Sequence, residues 1–327
     1  MIPVAVLTGF LGSGKTTLLG QLLKSPQFSR TAVIINEFGE VGLDHDLIET
    51  SEESFVQLQT GCLCCTIRGD LVLTLDNLLR RREAGTVPRF DRVVIETTGL
   101  ADPAPILQAL MTDEGLAGRV ALGGVITTVD AVNGVGTLDR QPEAVKQAAV
   151  ADRILLTKSD LVGDVPDALL GRLAKLNPGA PILRASFGQV DAVRLFDAAP
   201  YDPSRVLAWL AAEAHHHHAH DQGISSFCVT REAPIRAVAL TLFLETLAEH
   251  CGPDLLRVKG ILNIVESPDR PAVIHGVQHV FHPPAWLERW PSADRRSRIV
   301  FITRDISQRW IETLLEALDD EVSRTRA

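Results

Sequence analysis

A chain of 327 residues, 46% of them hydrophobic, can bury more than one core, so two domains are expected. A formal charge of -9 leaves no basic stripe for a nucleic acid, no cationic helix suggests a membrane surface, and no apolar run reaches the length of a bilayer span. The N-terminus enters an apolar pattern without a charged leader, and three of the five cysteines fall within four positions, which together predict a cytoplasmic protein with a metal or redox cluster and exclude a disulfide scaffold.

Ile2 to Leu7 reads as a short buried strand, and Leu18, Leu19, Leu22 and Leu23 fall at helical spacing. Between them GFLGSGKTT, residues 9–17, fits the phosphate-binding pattern G-x-x-x-x-G-K-[ST]. Gly9, Gly12 and Gly14 permit backbone conformations closed to other residues. Successive N–H groups over Gly12, Ser13, Gly14, Lys15, Thr16 and Thr17 can then point at phosphate oxygens near a helix N-terminus. Lys15 is placed for the β- and γ-phosphates and the Thr16 hydroxyl for Mg2+.

Thr31 to Ile35 reads as a second strand and ends at Asn36-Glu37-Phe38-Gly39-Glu40, with Asp44 beyond. Carboxylates facing a nucleotide fit a divalent metal between the two, a positioned water, or a segment that moves with the γ-phosphate. Ser54 to Gln59 alternates as a short strand and delivers Gly61-Cys62-Leu63-Cys64-Cys65. Adjacent Cys64 and Cys65 would form a strained disulfide at best. As thiolates the three make a soft site for Zn2+, or less favourably Cu+, with a fourth ligand from elsewhere or from a recipient.

Arg68 to Arg82 carries Leu71, Leu75, Leu78 and Leu79 at helical spacing. Arg92 to Ile95 is a third strong strand and runs into Glu96-Thr97-Thr98-Gly99. Behind a phosphate loop, such an acid orients Mg2+ or the attacking water, and the Gly99 N–H can reach the γ-phosphate. Lys15, Glu96 and Glu37 are therefore the candidate catalytic residues. Asp102-Pro103 starts a helix through Met111, with Asp102 as N-cap. Gly124 to Val129 is a strand ending at Asp130.

Arg153 to Leu156 is the next strand, followed by Thr157-Lys158-Ser159-Asp160, which is similar to the guanine signature N-K-x-D with Thr for Asn. A carboxylate at Asp160 can accept from guanine N1–H and its amino group, while the Lys158 stem covers the base, so GTP is expected over ATP. Pro181 to Ala185 reads as the last core strand, with Ser186 to Gly188 near the base. Strands alternating with helices predict an α/β, doubly wound, mostly parallel P-loop sheet over residues 1–208, with ligand at the strand C-terminal ends.

Residues 209–222 include His215 to His218 and His220, a tract with no apolar face, and read as a linker able to gather divalent metal weakly. Residues 223–327 change to an α+β pattern. Ile224 to Thr230, Leu255 to Val265, Ala272 to His282 and Arg298 to Thr303 read as strands, and Thr241 to Cys251 and Ser307 to Leu318 as helices. His275, His279 and His282 lack ligand spacing and are expected as ordinary core or surface histidines.

The strings GFLGSGKTT, INEFGEVGLD, GCLCC, ETTGLADP and TKSD, with the histidine tract and C-terminal domain, resemble the CobW family of P-loop GTPases across nearly the whole chain. Nickel-delivery GTPases of hydrogenase and urease maturation are similar in architecture, but GCLCC and the C-terminal domain favour CobW. The resemblance implies a GTPase using GTP and Mg2+, with nucleotide state coupled to metal binding and Zn2+ as cargo for a metal-requiring client protein. It carries Cys62, Cys64 and Cys65 over as metal ligands, and Glu37 and Glu40 as switch-region, metal-facing residues. A homodimer is compatible with it. Two rival readings stay open on the residues alone: a non-catalytic metal buffer, and an ATP-dependent small-molecule kinase.

Overall fold

The computed structural model describes residues 1–36, 55–57, 66–185, 195–196, 220–221 and 223–325. Contacts divide the chain into two compact units, residues 1–171 with 180–200 and residues 172–179 with 201–327.

In the first unit the described residues form seven strands: β1 Ile2–Gly9, β2 Thr31–Asn36, β3 Phe55–Gln57, β4 Arg92–Thr97, β5 Val120–Asp130, β6 Arg153–Thr157 and β7 Ile182–Arg184. Their order is β3-β2-β4-β1-β5-β6-β7, and every pairing is parallel. Central strands covered on both faces should be apolar throughout, and Val4 to Leu7, Val93 to Ile95 and Ile154 to Leu156 are all buried. Because all strands point one way, Gly9, Thr97, Asp130 and Thr157 end at one edge of the sheet. That edge is where ligands bind in such sheets.

Helices α1 Lys15–Leu23, α2 Thr66–Glu83, α3 Ala104–Thr112, α4 Gly134–Arg140, α5 Pro142–Ala149 and α6 Asp167–Leu176 connect the strands. Leu18, Leu19 and Leu22 of α1 enter a cluster with Leu7, Val33, Ile126 and Leu155. The Asp102 carboxylate accepts from Ala104 N at 2.9 Å, so it caps α3 although the helix begins one residue later than the sequence suggests. The apolar pattern does not announce helices α4 and α5, which are short and bury mainly Ala and Gly beside Leu138 and Val145.

In the second unit β8 His220–Asp221 pairs with β9 Ile224–Arg231, giving the order β12-β11-β10-β14-β9-β8 with β13 beside β11. The remaining strands are β10 Leu255–Ile264, β11 Ser267–Val277, β12 Val280–Phe281, β13 Ala285–Trp286 and β14 Ser297–Arg304, all antiparallel to their neighbours. Helices α7 Ala237–Cys251 and α8 Gln308–Thr325 supply Phe243, Leu247, Ile311 and Leu315 to a core with Phe227, Val258 and Phe301.

The stretch expected as one strand from Ala272 to His282 is a hairpin. Gln278 adopts a left-handed φ of 52° and turns the chain between β11 and β12. Gly276 admits this, since a Cβ there would lie 2.5 Å from the Phe281 ring. His275 is buried 5.8 Å, ring to ring, from His282, whose pKa burial lowers. Among the described residues no three His, Cys, Asp or Glu form a metal group, and no helix is long and apolar enough to cross a membrane.

Candidate nucleotide-binding site

The phosphate loop is built on steric necessity. Gly9 has φ 142°, and a Cβ there would fall 2.2 Å from Thr128 Oγ1 and 2.5 Å from the Thr128 carbonyl oxygen. Gly12 and Gly14 are left-handed, with φ 70° and 86°, and Gly14 caps α1. Ser13 N donates to Phe10 O at 3.1 Å, and Ser13 Oγ is 2.6 Å from Thr128 Oγ1, which holds the loop to β5. Lys15 is buried and its Nζ donates to Gly9 O at 2.8 Å and Phe10 O at 3.2 Å. Its ammonium is thus folded back over the loop, where phosphate oxygens would be stronger acceptors.

Thr16 Oγ1 donates to Glu96 Oε1 at 2.7 Å. A hydroxyl on the first turn of α1 and a buried carboxylate at the end of β4 are two hard oxygens at hydrogen-bond distance. That donor set suits Mg2+, which takes oxygen ligands and retains waters. Thr97 Oγ1 bonds Thr8 Oγ1 at 2.8 Å, which fixes the ends of β1 and β4 to each other. Beyond them Gly99 lies against the phosphate loop: a Cβ there would fall 2.6 Å from Leu11 Cδ2 and 2.7 Å from Leu11 N. Only glycine allows this approach.

The segment from Thr157 to Asp160 is tied to the same loop. Thr157 Oγ1 donates to Ser13 O at 2.7 Å, with Val129 O at 3.3 Å, so this threonine addresses the phosphate loop backbone. Lys158 has φ 55°, and its Nζ donates to Asp130 Oδ2 at 2.7 Å. Asp130 also accepts from the N–H groups of Val132 and Asn133 and from the Asn133 amide. Burial alone would raise its pKa, but the Lys158 ammonium, the Asn133 side chain and the two backbone donors outweigh that and hold it below the ordinary carboxylate range. Asp160 follows in a short 3-10 turn, half-buried, and Ser159 Oγ donates to Ala185 O at 2.5 Å. A cavity of about 270 Å³, bordered by Leu11, Ser13, Thr128, Asp130, Gln147 and Lys158, adjoins the loop.

Of the residues singled out in the sequence, Gly12, Ser13, Gly14, Lys15, Thr16, Thr17, Glu96, Gly99, Lys158 and Asp160 lie on segments that leave the same edge of one parallel sheet. Glu37, Glu40, Asp44, Cys62, Cys64, Cys65 and His215 to His218 lie outside the described residues. The flanks of the thiol string are described. Strand β3 runs parallel to β2 and ends at the sheet edge that bears Gly9 and Thr97. Sequence reasoning missed Thr128, the Asp130 partnership with Lys158, and Gln147. The signal available for Asp130 was a strand-terminal aspartate three positions before an asparagine.

Residues 3–184 match the CobW/HypB/UreG nucleotide-binding domain, and residues 224–319 match the cobalamin synthesis protein CobW C-terminal domain. The chain is similar to the zinc chaperone YjiA of Escherichia coli K12, 37% identical over 301 residues that cover 92% of this chain and 93% of the relative. It is also similar to the zinc chaperone CobW of Pseudomonas aeruginosa, 31% identical over 355 residues, covering 94% and 88%. The crystal structure of Zn(II)-bound YjiA GTPase from E. coli superposes with a TM-score of 0.71 at 30% identity, covering 97% of this chain and 98% of that one. The chain therefore belongs to the CobW/HypB/UreG family and carries the CobW C-terminal domain behind its nucleotide-binding domain.

Proposed function

We propose that this chain is a GTP-hydrolysing metallochaperone that holds Zn2+ through Cys62, Cys64 and Cys65 while GTP and Mg2+ are bound, and passes it to a metal-requiring client protein in the cytoplasm. The observation that carries the reading is the Thr16–Glu96 pair, 2.7 Å apart beside a glycine loop, with the strand leading into GCLCC ending at that same sheet edge. Relatives named zinc chaperone and a zinc-bound GTPase structure support both halves of it.

Loop N–H groups from Gly12 to Thr17 receive the phosphates, and Lys15 exchanges its bonds to Gly9 O and Phe10 O for the β- and γ-phosphates. Thr16 and Glu96 would hold Mg2+, which would supply positive charge against the phosphate oxygens. Glu96 orients water toward the γ-phosphate, and Glu37 is the second candidate for that role. Gly99 presents its N–H to the γ-phosphate, so its segment differs between GTP and GDP states. Asp160 accepts from the guanine edge while Lys158, steadied by Asp130, covers the base. Glu37 and Glu40 lie on the segment that links this state to the thiolates.

The test combines turnover and metal binding on the full chain. Glu96→Ala is expected to lower kcat for GTP by about a hundredfold or more, the scale of a lost metal-orienting carboxylate. Cys64→Ser should leave GTP affinity unchanged and remove the high-affinity zinc equivalent. Full zinc binding by Cys64→Ser, or undiminished turnover by Glu96→Ala, would contradict the assignment.

A further inference from the structure

Gln147, on α5, takes no part in the reading above, yet its side chain reaches the turn that follows Glu96. It is 0% exposed, and its Nε2 donates to Ala101 O at 3.0 Å and Gly99 O at 3.2 Å. Two carbonyl oxygens at one end of the amide assign its orientation. The NH2 faces the turn, and Oε1 has no hydrogen-bond partner among the described residues. The amide's firm contacts are therefore both made to that turn.

Its own element is fixed in place. The Gln147 carbonyl oxygen accepts from Thr127 Oγ1 at 2.7 Å, which ties α5 to β5, a neighbour of β1. Beside it Lys146 Nζ lies 3.8 Å from Asp102 Oδ2, whose other oxygen caps α3. Leu11 of the phosphate loop also touches Gly99 so closely that no Cβ fits. The Gly99–Ala101 turn is thus held both by contact with the phosphate loop and by one buried amide.

We propose that Gln147 is a positioning residue for γ-phosphate recognition: by holding the Gly99 and Ala101 carbonyls it fixes the two peptides that follow Gly99, steadies that residue so that its N–H keeps one direction, and so sets the preference for GTP over GDP. This rests on the reading of Gly99 given above. An N–H held in place binds an anion without first being ordered, whereas a loose turn loses that ordering entropy on binding. GDP has no oxygen at that position, so its affinity is indifferent to the turn.

The experiment compares the full-length wild type with Gln147→Met, which keeps volume without donors, and Gln147→Glu, which sets an acceptor against two carbonyls. Binding of a non-hydrolysable GTP analogue and of GDP is measured with Mg2+ present, together with kcat and KM for GTP. The analogue is expected to weaken by about tenfold, the worth of one to two net hydrogen bonds, while GDP affinity changes by less than about twofold. Parallel loss of both nucleotides, or no change in either, would show a merely structural residue. Should Gln147→Met unfold the chain, Gln147→Asn gives the same comparison, because its amide is one methylene too short for the turn. A wild type that binds analogue and GDP equally overturns the Gly99 reading and this proposal with it. A wild type that prefers the analogue, with variants that keep the preference, overturns the role of Gln147 alone.

Discussion

At the scale of single residues, the site is a set of backbone and side-chain ties converging on one loop. Thr157 stands where N-K-x-D has Asn, and its hydroxyl reaches Ser13 O at 2.7 Å, which joins this segment to the phosphate loop. Thr157→Val should weaken GTP and GDP alike, by about fivefold to tenfold for one lost buried hydrogen bond, and leave the guanine-over-adenine preference intact. Competition binding with the four nucleotides decides it; a shift in base preference would mean the threonine reads the base. Asp130 supplies a pH dependence. Its pKa is lowered in the folded chain, because Lys158, Asn133 and backbone donors outweigh burial. The carboxylate therefore stabilises the fold fully above its unfolded pKa, about 3.9, and loses that contribution as pH falls through the lower folded value. The melting-temperature gap between wild type and Asp130→Asn should be flat from about pH 5 to 8 and close as the solution becomes more acidic.

At the scale of elements, legibility followed locality. The phosphate loop could be read because its glycines, lysine and threonine are contiguous and flanked by a buried strand and an apolar helix face. The ties that complete the site could not. Lys158 meets a carboxylate 28 positions away, and Gln147 meets a carbonyl 48 positions away, and nothing in either residue's neighbourhood announces the partner. Helices α4 and α5 escaped for a related reason: seven and eight residues long, they are too short for a leucine repeat to develop. Strands β1, β4 and β6 stood out as unbroken apolar runs because both sheet faces are covered. Two substitutions check the element reading. Gly9→Ala places a methyl 2.2 Å from Thr128 Oγ1 at a φ of 142°, so it should abolish nucleotide binding and lower the melting temperature. Leu155→Ala on β6, at 0% exposure, should cost about 2–5 kcal/mol in denaturant unfolding, whereas exposed Leu161→Ala should stay within about 0.5 kcal/mol.

At the scale of the whole molecule, the proposed coupling of nucleotide to metal rests on chain topology. In a fully parallel sheet every strand hands over to its connection at one edge, so the strands ending at Asn36, Gln57 and Thr97 all end at the edge that bears the phosphate loop. In the proposed function, the connections that leave this edge carry a change in phosphate number to the thiolates. A difference of about 3 kcal/mol between two nucleotide states would alter zinc affinity roughly a hundredfold. The second unit has its own core around Phe243 and Phe301. Phe301→Ala should destabilise that unit by about 3–5 kcal/mol while GTP affinity of the folded fraction holds.

The most direct test is a competition titration of zinc on the wild-type chain with Mg2+ and either a non-hydrolysable GTP analogue or GDP. The account predicts tighter zinc binding in the analogue state by at least about tenfold, lost in Cys64→Ser. Equal zinc affinity in the two states would contradict the coupling on which the proposed function rests.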